Sequence, residues 1–87
     1  MLDIKLATLL TVAKEKNFTK AAEKLSLTQP AVSHHIGQLE DELGTRIFVR
    51  AKTGLRLTPE GEIVLRYAER LRSLYDKMLE ELNDSER

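Results

Sequence analysis

The stretch from Leu25 to Ser33, LSLTQPAVS, decides the fold of this chain. Thr28 is a favourable helix N-cap, and Pro30 lies in the first turn that follows, where its missing N–H is not needed. Gly44 is expected to end this helix as a left-handed C-cap. The apolar residues of the helix recur every three or four positions, so we expect them to be buried on one stripe: Val32, Ile36, Leu39 and Leu43.

A shorter helix is predicted before this turn, with Thr19 as its N-cap. Its apolar residues are Ala21, Ala22 and Leu25. The turn is tight, because Leu25 and Leu27 both point into the core and Thr28 caps the next helix at once. Two helices joined in this way predict a helix-turn-helix over about residues 18–37.

A further helix is predicted at the start of the chain. Asp3 is its candidate N-cap, and the polar run at residues 14–17 ends it. The apolar residues follow the i, i+3, i+4, i+7 pattern of a helix with one buried side: Leu6, Leu9, Leu10 and Ala13.

The segment after Gly44 predicts a β-hairpin, here called the wing, at about residues 46–57. Two short runs, Ile47–Val49 and Leu55–Leu57, flank a turn-compatible segment at Ala51–Gly54. Four basic side chains and no acidic one lie between Gly44 and Thr58: Arg46, Arg50, Lys52 and Arg56.

Thr58, Pro59 and Glu60 form a strong helix start, and the last helix is expected to run to about Leu82. The predicted fold is therefore mainly α. A winged helix-turn-helix, with three helices and a two-stranded β-hairpin wing, occupies residues 1–58. A long linker or dimerisation helix occupies residues 59–87.

The composition fits one small domain whose charge is unevenly distributed. The net charge of 87 residues is zero, but residues 1–58 hold nine Lys/Arg against six Asp/Glu, and residues 59–87 hold five against eight. There is no cysteine, which excludes disulfides, thiolate metal sites and a cysteine nucleophile. No signal peptide is recognisable, and the longest uncharged stretch, Leu6–Ala13, is too short to span a bilayer. We therefore expect a cytoplasmic protein with no membrane contact.

The helix after the turn has the surface of a DNA-reading helix. No acidic side chain occurs from Thr28 to Leu39, and the acids cluster behind it at residues 40–42. This charge order fits a helix that enters the major groove with its N-terminus first. The expected exposed side chains can donate and accept hydrogen bonds at base edges: Gln29, Ser33, His34 and Gln38.

Five segments together resemble the DNA-binding region of LysR-type transcriptional regulators. They follow the order and spacing of that family and extend over almost the whole chain: Phe18–Ala22, Leu27–Ser33, Leu39–Gly44, Phe48–Arg50 and Leu57–Gly61. The resemblance implies a homodimeric winged helix-turn-helix that binds double-stranded DNA at an interrupted palindrome. It also implies a sequence-specific regulator of transcription.

The resemblance also implies which residues contact DNA. The positions that read bases in the family are held here by Gln29, Pro30, Ala31, Ser33 and His34. The positions that contact phosphates, or reach the minor groove from the wing, are held by Thr19, Thr28, Arg50, Lys52, Thr53 and Thr58. The family often has arginine where this chain has His34, and a longer polar residue where it has Gly37. Base preference near His34 therefore departs from the family pattern.

Family members are several times longer and carry a C-terminal domain that binds a small-molecule effector. The 87-residue chain is either a fragment of such a regulator, which we favour, or a regulator that lacks this sensor domain. Any effector would be bound only through that further domain. No cofactor is expected.

The last helix carries a heptad pattern with 4, 3, 4, 3, 4 spacing: Val64, Ala68, Leu71, Tyr75, Met78 and Leu82. Further apolar residues widen this side of the helix: Ile63, Leu65, Tyr67, Leu74 and Leu79. The preceding residues can cover only its first turns. Two interpretations remain, a dimer seam or a surface covered by a domain outside this chain.

Other functions have weaker support. His34 and His35 point about 100° apart on a helix and have no third metal ligand nearby, so no metal site is predicted. Ser33 with either histidine lacks an orienting acid, and no enzyme activity is expected. Arg46 and Arg56 are either DNA contacts or simply solvated charges. A protein-interaction module that has lost DNA binding is the alternative function, and the acid-free recognition surface and basic wing argue against it.

Overall fold

The computed structural model of the protein describes residues 4–85 and has the predicted order of elements. Three helices are followed by a two-stranded antiparallel hairpin and a long helix. The elements are α1 (Ile4–Glu15), α2 (Phe18–Leu25), α3 (Gln29–Leu43), β1 (Phe48–Ala51), β2 (Gly54–Leu57) and α4 (Pro59–Ser85). The mainly α fold class is confirmed, while the predicted cap Asp3 lies outside the described residues.

The prediction that Thr19 caps α2 is wrong, because Asn17 holds that position. Asn17 has an extended backbone, and its Oδ1 accepts a hydrogen bond of 2.9 Å from the N–H of Lys20. Thr19 lies two residues further on, inside the first turn of the helix. Asparagine is at least as good an N-cap as threonine. The polar run at residues 14–17 therefore both ends α1 and begins α2.

The turn between α2 and α3 is built as predicted. Ser26 adopts a left-handed conformation at the end of α2, and Leu25 and Leu27 pack against the core on either side of it. Thr28 then caps α3, its Oγ1 accepting a 3.2 Å hydrogen bond from the N–H of Ala31. Gly44 ends α3 in the left-handed conformation with φ 68°.

The core lies where α1, α2, α3, the hairpin and the first turns of α4 meet. Its buried side chains are Leu9, Val12, Ala21, Ala22, Val32, Ile36, Ile47, Phe48 and Ala68. The predicted stripe on α3 is buried only at Val32 and Ile36, with Leu39 half-buried. Leu43 is 49% exposed, which corrects the prediction that it is buried. It lies in the last turn of α3, two turns beyond Ile36.

The hairpin register decides which wing side chains lie on the same face. Phe48 pairs with Leu57 and Arg50 pairs with Leu55, so these four residues share the face that bears the buried Phe48. Arg56 pairs with Val49 on the opposite face. The strands are joined by a two-residue turn at Lys52 and Thr53.

α4 begins against the backbone of the segment that leads into β1. The N–H of Thr58 donates to the Ile47 carbonyl at 2.9 Å, and the N–H of Gly61 donates to Thr58 Oγ1 at 2.8 Å. Gly61 is buried, and a Cβ at this position would lie only 2.1 Å from the Ile47 oxygen. Only glycine therefore allows α4 to approach Ile47 this closely.

Replacement of Gly61 by alanine should therefore destabilise the fold. The clash with the Ile47 carbonyl should cost about 1–3 kcal/mol or more, against a gain of about 1 kcal/mol in helix propensity. Gly37→Ala is the matched control, since nothing lies within 4 Å of a Cβ at Gly37, and it should stabilise the protein by about 1 kcal/mol. Urea unfolding followed by circular dichroism, at one protein concentration, measures both. Equal stability of the two variants would contradict the close approach.

Candidate nucleic-acid interface

The N-terminal half of α3 presents an uncharged polar surface. Pro30, Ser33 and His34 are exposed, and Gln29 and Ala31 are half-buried. Gln38 is exposed further along the helix. All five predicted base-reading residues thus lie within the first two turns of one helix. Their amide, hydroxyl and imidazole groups and the Ala31 methyl are the groups that contact base edges in a major groove.

The two adjacent histidines have different environments. His34 is exposed, whereas His35 is half-buried and its Nδ1 lies 2.9 Å from Oγ1 of Thr8, which is fully buried on α1. The Thr8 hydroxyl donates its single hydrogen to the Ile4 carbonyl at 3.0 Å, so the ring N–H of His35 donates to Thr8. His35 therefore joins α3 to α1. Sequence reasoning gave it no structural role, because Thr8 is 27 residues away.

A cleft of about 270 Å³ lies between the helix-turn-helix and the wing. It brings together the start of α2, the start of α3 and strand β1. Among its lining residues are the predicted contacts Thr19, Gln29 and Arg50, and also Lys16, which sequence reasoning missed. Lys16 immediately precedes the N-cap Asn17 and has a left-handed backbone, φ 55°. Its position directly before a helix start was the signal in the sequence.

The other wing cations differ in their surroundings. Lys52 and Thr53 are exposed at the tip of the hairpin. Arg46 Nε lies 3.7 Å from Glu40 Oε2, so this cation is partly neutralised within the chain. Arg56 lies on the hairpin face opposite Arg50. Arg50 is therefore the cation of the paired strands that shares the face of the cleft.

Three of the four predicted threonines lie at helix starts and differ in what their hydroxyl groups can still bind. Thr19 is exposed on the first turn of α2. The Oγ1 of Thr28 accepts from Ala31, which leaves its hydroxyl hydrogen available for a phosphate. The hydroxyl of Thr58 donates to the Arg46 carbonyl and accepts from Gly61. Its only hydrogen is thus used within the chain, and Thr58 is placed as a structural cap.

α4 carries apolar side chains on two adjoining sides. Ala68 is 3% exposed and Val64 packs against the same core, so the first two residues of the predicted seam contact their own domain. Tyr75 is half-buried. A second side, here called the α4 apolar face, consists of residues that succeed one another every three or four positions: Ile63, Tyr67, Leu71, Leu74, Met78 and Leu82. Five of these six are 50–64% exposed, and Met78 is half-buried.

Two arginine side chains lie next to Tyr67 on the α4 apolar face. The guanidinium groups of Arg66 and Arg70 lie 5.4 and 5.1 Å from the centre of its ring. Two cations therefore border the α4 apolar face at Tyr67.

Within residues 4–85, no three His, Asp or Glu side chains are grouped so that they could hold a metal ion. None of the helices in this described part is long and apolar enough to cross a membrane.

The family follows from a match over most of the chain. The model of the bacterial regulatory helix-turn-helix proteins of the lysR family matches residues 5–62. The chain belongs to the LysR family. This confirms the resemblance seen in the sequence, and the matched residues extend from α1 through the wing into the first turn of α4.

Curated LysR-type relatives align with nearly all of this chain. It is 46% identical over 80 residues to the HTH-type transcriptional regulator HdfR of Yersinia enterocolitica, covering 92% of this chain and 27% of that protein. It is 44% identical over 82 residues to HdfR of Escherichia coli O139:H28, covering 94% of this chain and 29% of the relative. The chain thus spans less than a third of the length of these regulators.

Solved structures of LysR-type proteins have the same fold. A complex of the BenM DNA-binding domain with catB site 1 DNA has a TM-score of 0.85 at 39% identity and covers 92% of this chain and 86% of that one. A CbnR DNA-binding domain in complex with DNA has a TM-score of 0.89 at 28% identity, with both chains covered completely. Full-length OxyR C199D of Pseudomonas aeruginosa has a TM-score of 0.88 at 34% identity, covering all of this chain and 30% of that one.

Replacing each of the two histidines by alanine should have different effects on the stability of the fold. His35→Ala leaves the buried Thr8 oxygen without its donor, which should cost about 1–3 kcal/mol of stability. His34→Ala removes an exposed side chain and should change stability by no more than about 0.5 kcal/mol. Thermal and urea unfolding of the two variants test this pair. Equal stabilities would show that the contact between Thr8 and His35 does not stabilise the fold.

Proposed function

We propose that this chain is the DNA-binding module of a LysR-type transcriptional regulator that binds specific double-stranded DNA as a homodimer. The observation that carries the proposal is the arrangement around the cleft. An acid-free recognition surface on α3 lies beside two cations, Lys16 and Arg50, on the same side of the molecule. The BenM and CbnR DNA-binding domains, which have the same fold, were solved in complex with DNA, and this supports the same function.

The recognition helix is proposed to enter the major groove with its N-terminus first. Gln29, Ser33 and His34 then offer donors and acceptors to base edges, and Pro30 and Ala31 offer apolar contact, for example to a thymine methyl group. None of these side chains carries a fixed charge. Sequence preference at this surface therefore depends on hydrogen-bond pattern and shape, with no arginine placed to bind guanine.

Phosphate contacts are proposed for residues on both sides of the recognition helix. Thr19 and Thr28 supply hydroxyl groups from the helix-turn-helix, and Arg50 supplies a cation from the wing. Lys52 and Thr53 extend the wing tip towards the minor groove. We add Lys16 to this set on the basis of the cleft, and we leave out Thr58 because its hydroxyl is engaged within the chain.

The homodimer is proposed to form through the α4 apolar face. Two helix-turn-helix units on one side of a duplex lie about 34–36 Å apart or a multiple of it. α4 has 27 residues and is therefore about 40 Å long, so it matches this distance. A second copy is the occupant that fits best, because a palindrome presents the same half-site twice. Leu71, Met78 and Leu82 of the predicted seam stay in the proposed interface, while Ile63, Tyr67 and Leu74 replace Val64, Ala68 and Tyr75.

Neither effector binding nor enzyme activity is assigned to these residues. Binding of an effector would need a further domain, and the greater length of the HdfR relatives leaves room for one. The module itself is proposed to carry out no chemical reaction, and its partners are DNA and a second copy of the chain.

The wing cations provide the test that separates this function from a module that has lost DNA binding. Arg50→Ala and Lys52→Ala should weaken binding to all duplexes alike, because phosphate contacts position a protein without specifying sequence. Each lost contact should reduce the slope of log K against log salt by about 0.9. Arg56→Ala, on the opposite face of the hairpin, is the matched control and should keep the parent slope.

Gel-shift titrations at several salt concentrations measure these slopes. An unchanged slope in both variants would rule out their phosphate contacts. No binding of the parent chain to any duplex at low salt would favour the interaction module instead.

The dimer is tested by placing a charge on the α4 apolar face. Leu71→Asp should leave the monomer folded, because Leu71 is 52% exposed in it, but the charge would have to be desolvated in a dimer at a cost of several kcal/mol. Sedimentation equilibrium should show a monomer. Affinity for a full palindrome should fall towards that for a half-site, since the second contact is no longer effectively intramolecular.

Ser73→Asp introduces the same charge on an exposed position of α4 outside this face and should stay dimeric. A parent chain that is monomeric at high micromolar concentration would contradict the dimer. The α4 apolar face would then be covered by another domain.

A further inference from the structure

The carboxylate of Glu40 binds the backbone that leads into the wing. Its Oε2 accepts a hydrogen bond of 2.8 Å from the N–H of Ile47 and a longer one of 3.4 Å from the N–H of Phe48. The side chain is only 18% exposed, whereas that of its ion-pair partner Arg46 is 75% exposed. The backbone carbonyl of Glu40 also accepts from Gly44 and Thr45. α3 therefore holds the following loop through both its main chain and one side chain.

The same short segment is bound from its other side by the start of α4. The carbonyl of Arg46 accepts from the Thr58 hydroxyl, and the carbonyl of Ile47 accepts from the Thr58 N–H. Gly61 lies against that Ile47 carbonyl. The N–H groups of Ile47 and Phe48 thus point to the recognition helix, and the carbonyl groups of Arg46 and Ile47 point to the linker helix.

Segment 46–48 is consequently a polar link between α3 and α4. The relative orientation of these two helices matters for a dimer on DNA. The helices are also brought together through apolar packing on α1, by Ala68 and Val64 from α4 and by the core residues of α3. Apolar contacts are non-directional, so they permit small sliding and rotation. Hydrogen bonds to fixed backbone groups are directional and restrict both.

We propose that Glu40 is a positioning residue that fixes the orientation of the recognition helix relative to α4, and thereby sets the half-site spacing that the dimer accepts. The inference rests on the proposed function, dimeric binding to two half-sites. Glu40 itself lies beyond the base-reading end of α3 and is not proposed to touch DNA. Its effect passes through segment 46–48 and Thr58 to the helix that carries the dimer interface.

Spacing is the property that this orientation controls. Each added base pair moves one half-site by about 3.4 Å along the duplex and turns it by roughly 36° about the axis. A rigid dimer cannot follow such a change, and loses the gain from simultaneous binding, typically about 10²–10⁴-fold. A dimer whose helices can rotate against each other follows it at lower cost.

The experiment measures affinity for duplexes that carry two copies of the half-site selected from random DNA by the parent chain, at the optimal spacing and at spacings one or two base pairs longer and shorter. Glu40→Ala removes the carboxylate. Glu40→Asp keeps its charge but withdraws it by one methylene. Glu40→Gln keeps an acceptor oxygen at the same reach. Glu42→Ala is the matched control, because Glu42 has the same charge on the same helix and is exposed.

We expect the parent and Glu42→Ala to lose roughly 10²-fold in affinity when the spacing is one base pair from the optimum. For Glu40→Ala and Glu40→Asp the loss should shrink to less than about tenfold, and Glu40→Gln should restore most of the parent profile. If Glu40→Ala does not fold, as shown by circular dichroism, the comparison of Glu40→Asp with Glu40→Gln decides.

Equal weakening at every spacing, with the parent's optimum and discrimination retained, would overturn the proposal and leave Glu40 a role in stability alone. A parent chain that binds single half-sites but shows no spacing optimum would overturn the dimeric function on which the proposal rests. These two failures are distinguished by the parent's own profile.

Discussion

The segment from Arg46 to Phe48 is the point on which the arrangement of the molecule depends. The N–H groups of Ile47 and Phe48 donate to a carboxylate on α3, and the carbonyls of Arg46 and Ile47 accept from Thr58, the cap of α4. Buried backbone groups without partners would be costly, so each of these contacts also stabilises the fold. The absence of a side chain at Gly61 then lets α4 come within contact of the same peptide. One short piece of backbone therefore connects the recognition helix, the wing and the linker helix.

The zero net charge follows from a division of roles along the chain. The proposed base-reading surface of α3 is uncharged, the wing and Lys16 carry positive charge, and 11 of the 14 acids lie at residues 40–42 or in residues 59–87. Most of the negative charge is therefore kept away from the proposed base-reading surface and the wing. Total charge is a poor guide to DNA binding in a domain of this kind, whereas its distribution is informative.

Local signals in the sequence were enough to predict most of the fold. Thr28 as a cap, Gly44 as a left-handed end and Pro59 as a helix start act within one or two turns, and the structure has all three helix boundaries where these residues place them. The cap of α2 was misassigned to Thr19, because two good capping residues stand two positions apart. Which of them begins the helix depends on how the chain leaves α1 at Lys16.

The candidate site was predictable in its composition but not in its contacts. Three of the predicted residues line the cleft, namely Thr19, Gln29 and Arg50, whereas Lys16 was missed because it lines the same cleft as Arg50 only in the folded chain. The heptad pattern on α4 could not distinguish the side that meets the chain's own core from the side left exposed. Ala68 belongs to the first and Leu71 to the second. In the sequence Glu40 is one of three clustered acids, and nothing local indicates its hydrogen bonds to backbone groups seven and eight residues away.

The central claim is that the first two turns of α3 read the sequence of the duplex. Its most direct test is the ratio of specific to non-specific affinity for Gln29→Ala and Ser33→Ala, measured on a selected site and on random duplex, with the exposed Ser73→Ala as control. Each lost base contact is expected to lower specific affinity by about 1–3 kcal/mol, while non-specific affinity and the control stay unchanged. If both variants keep the parent's ratio, α3 does not read the bases.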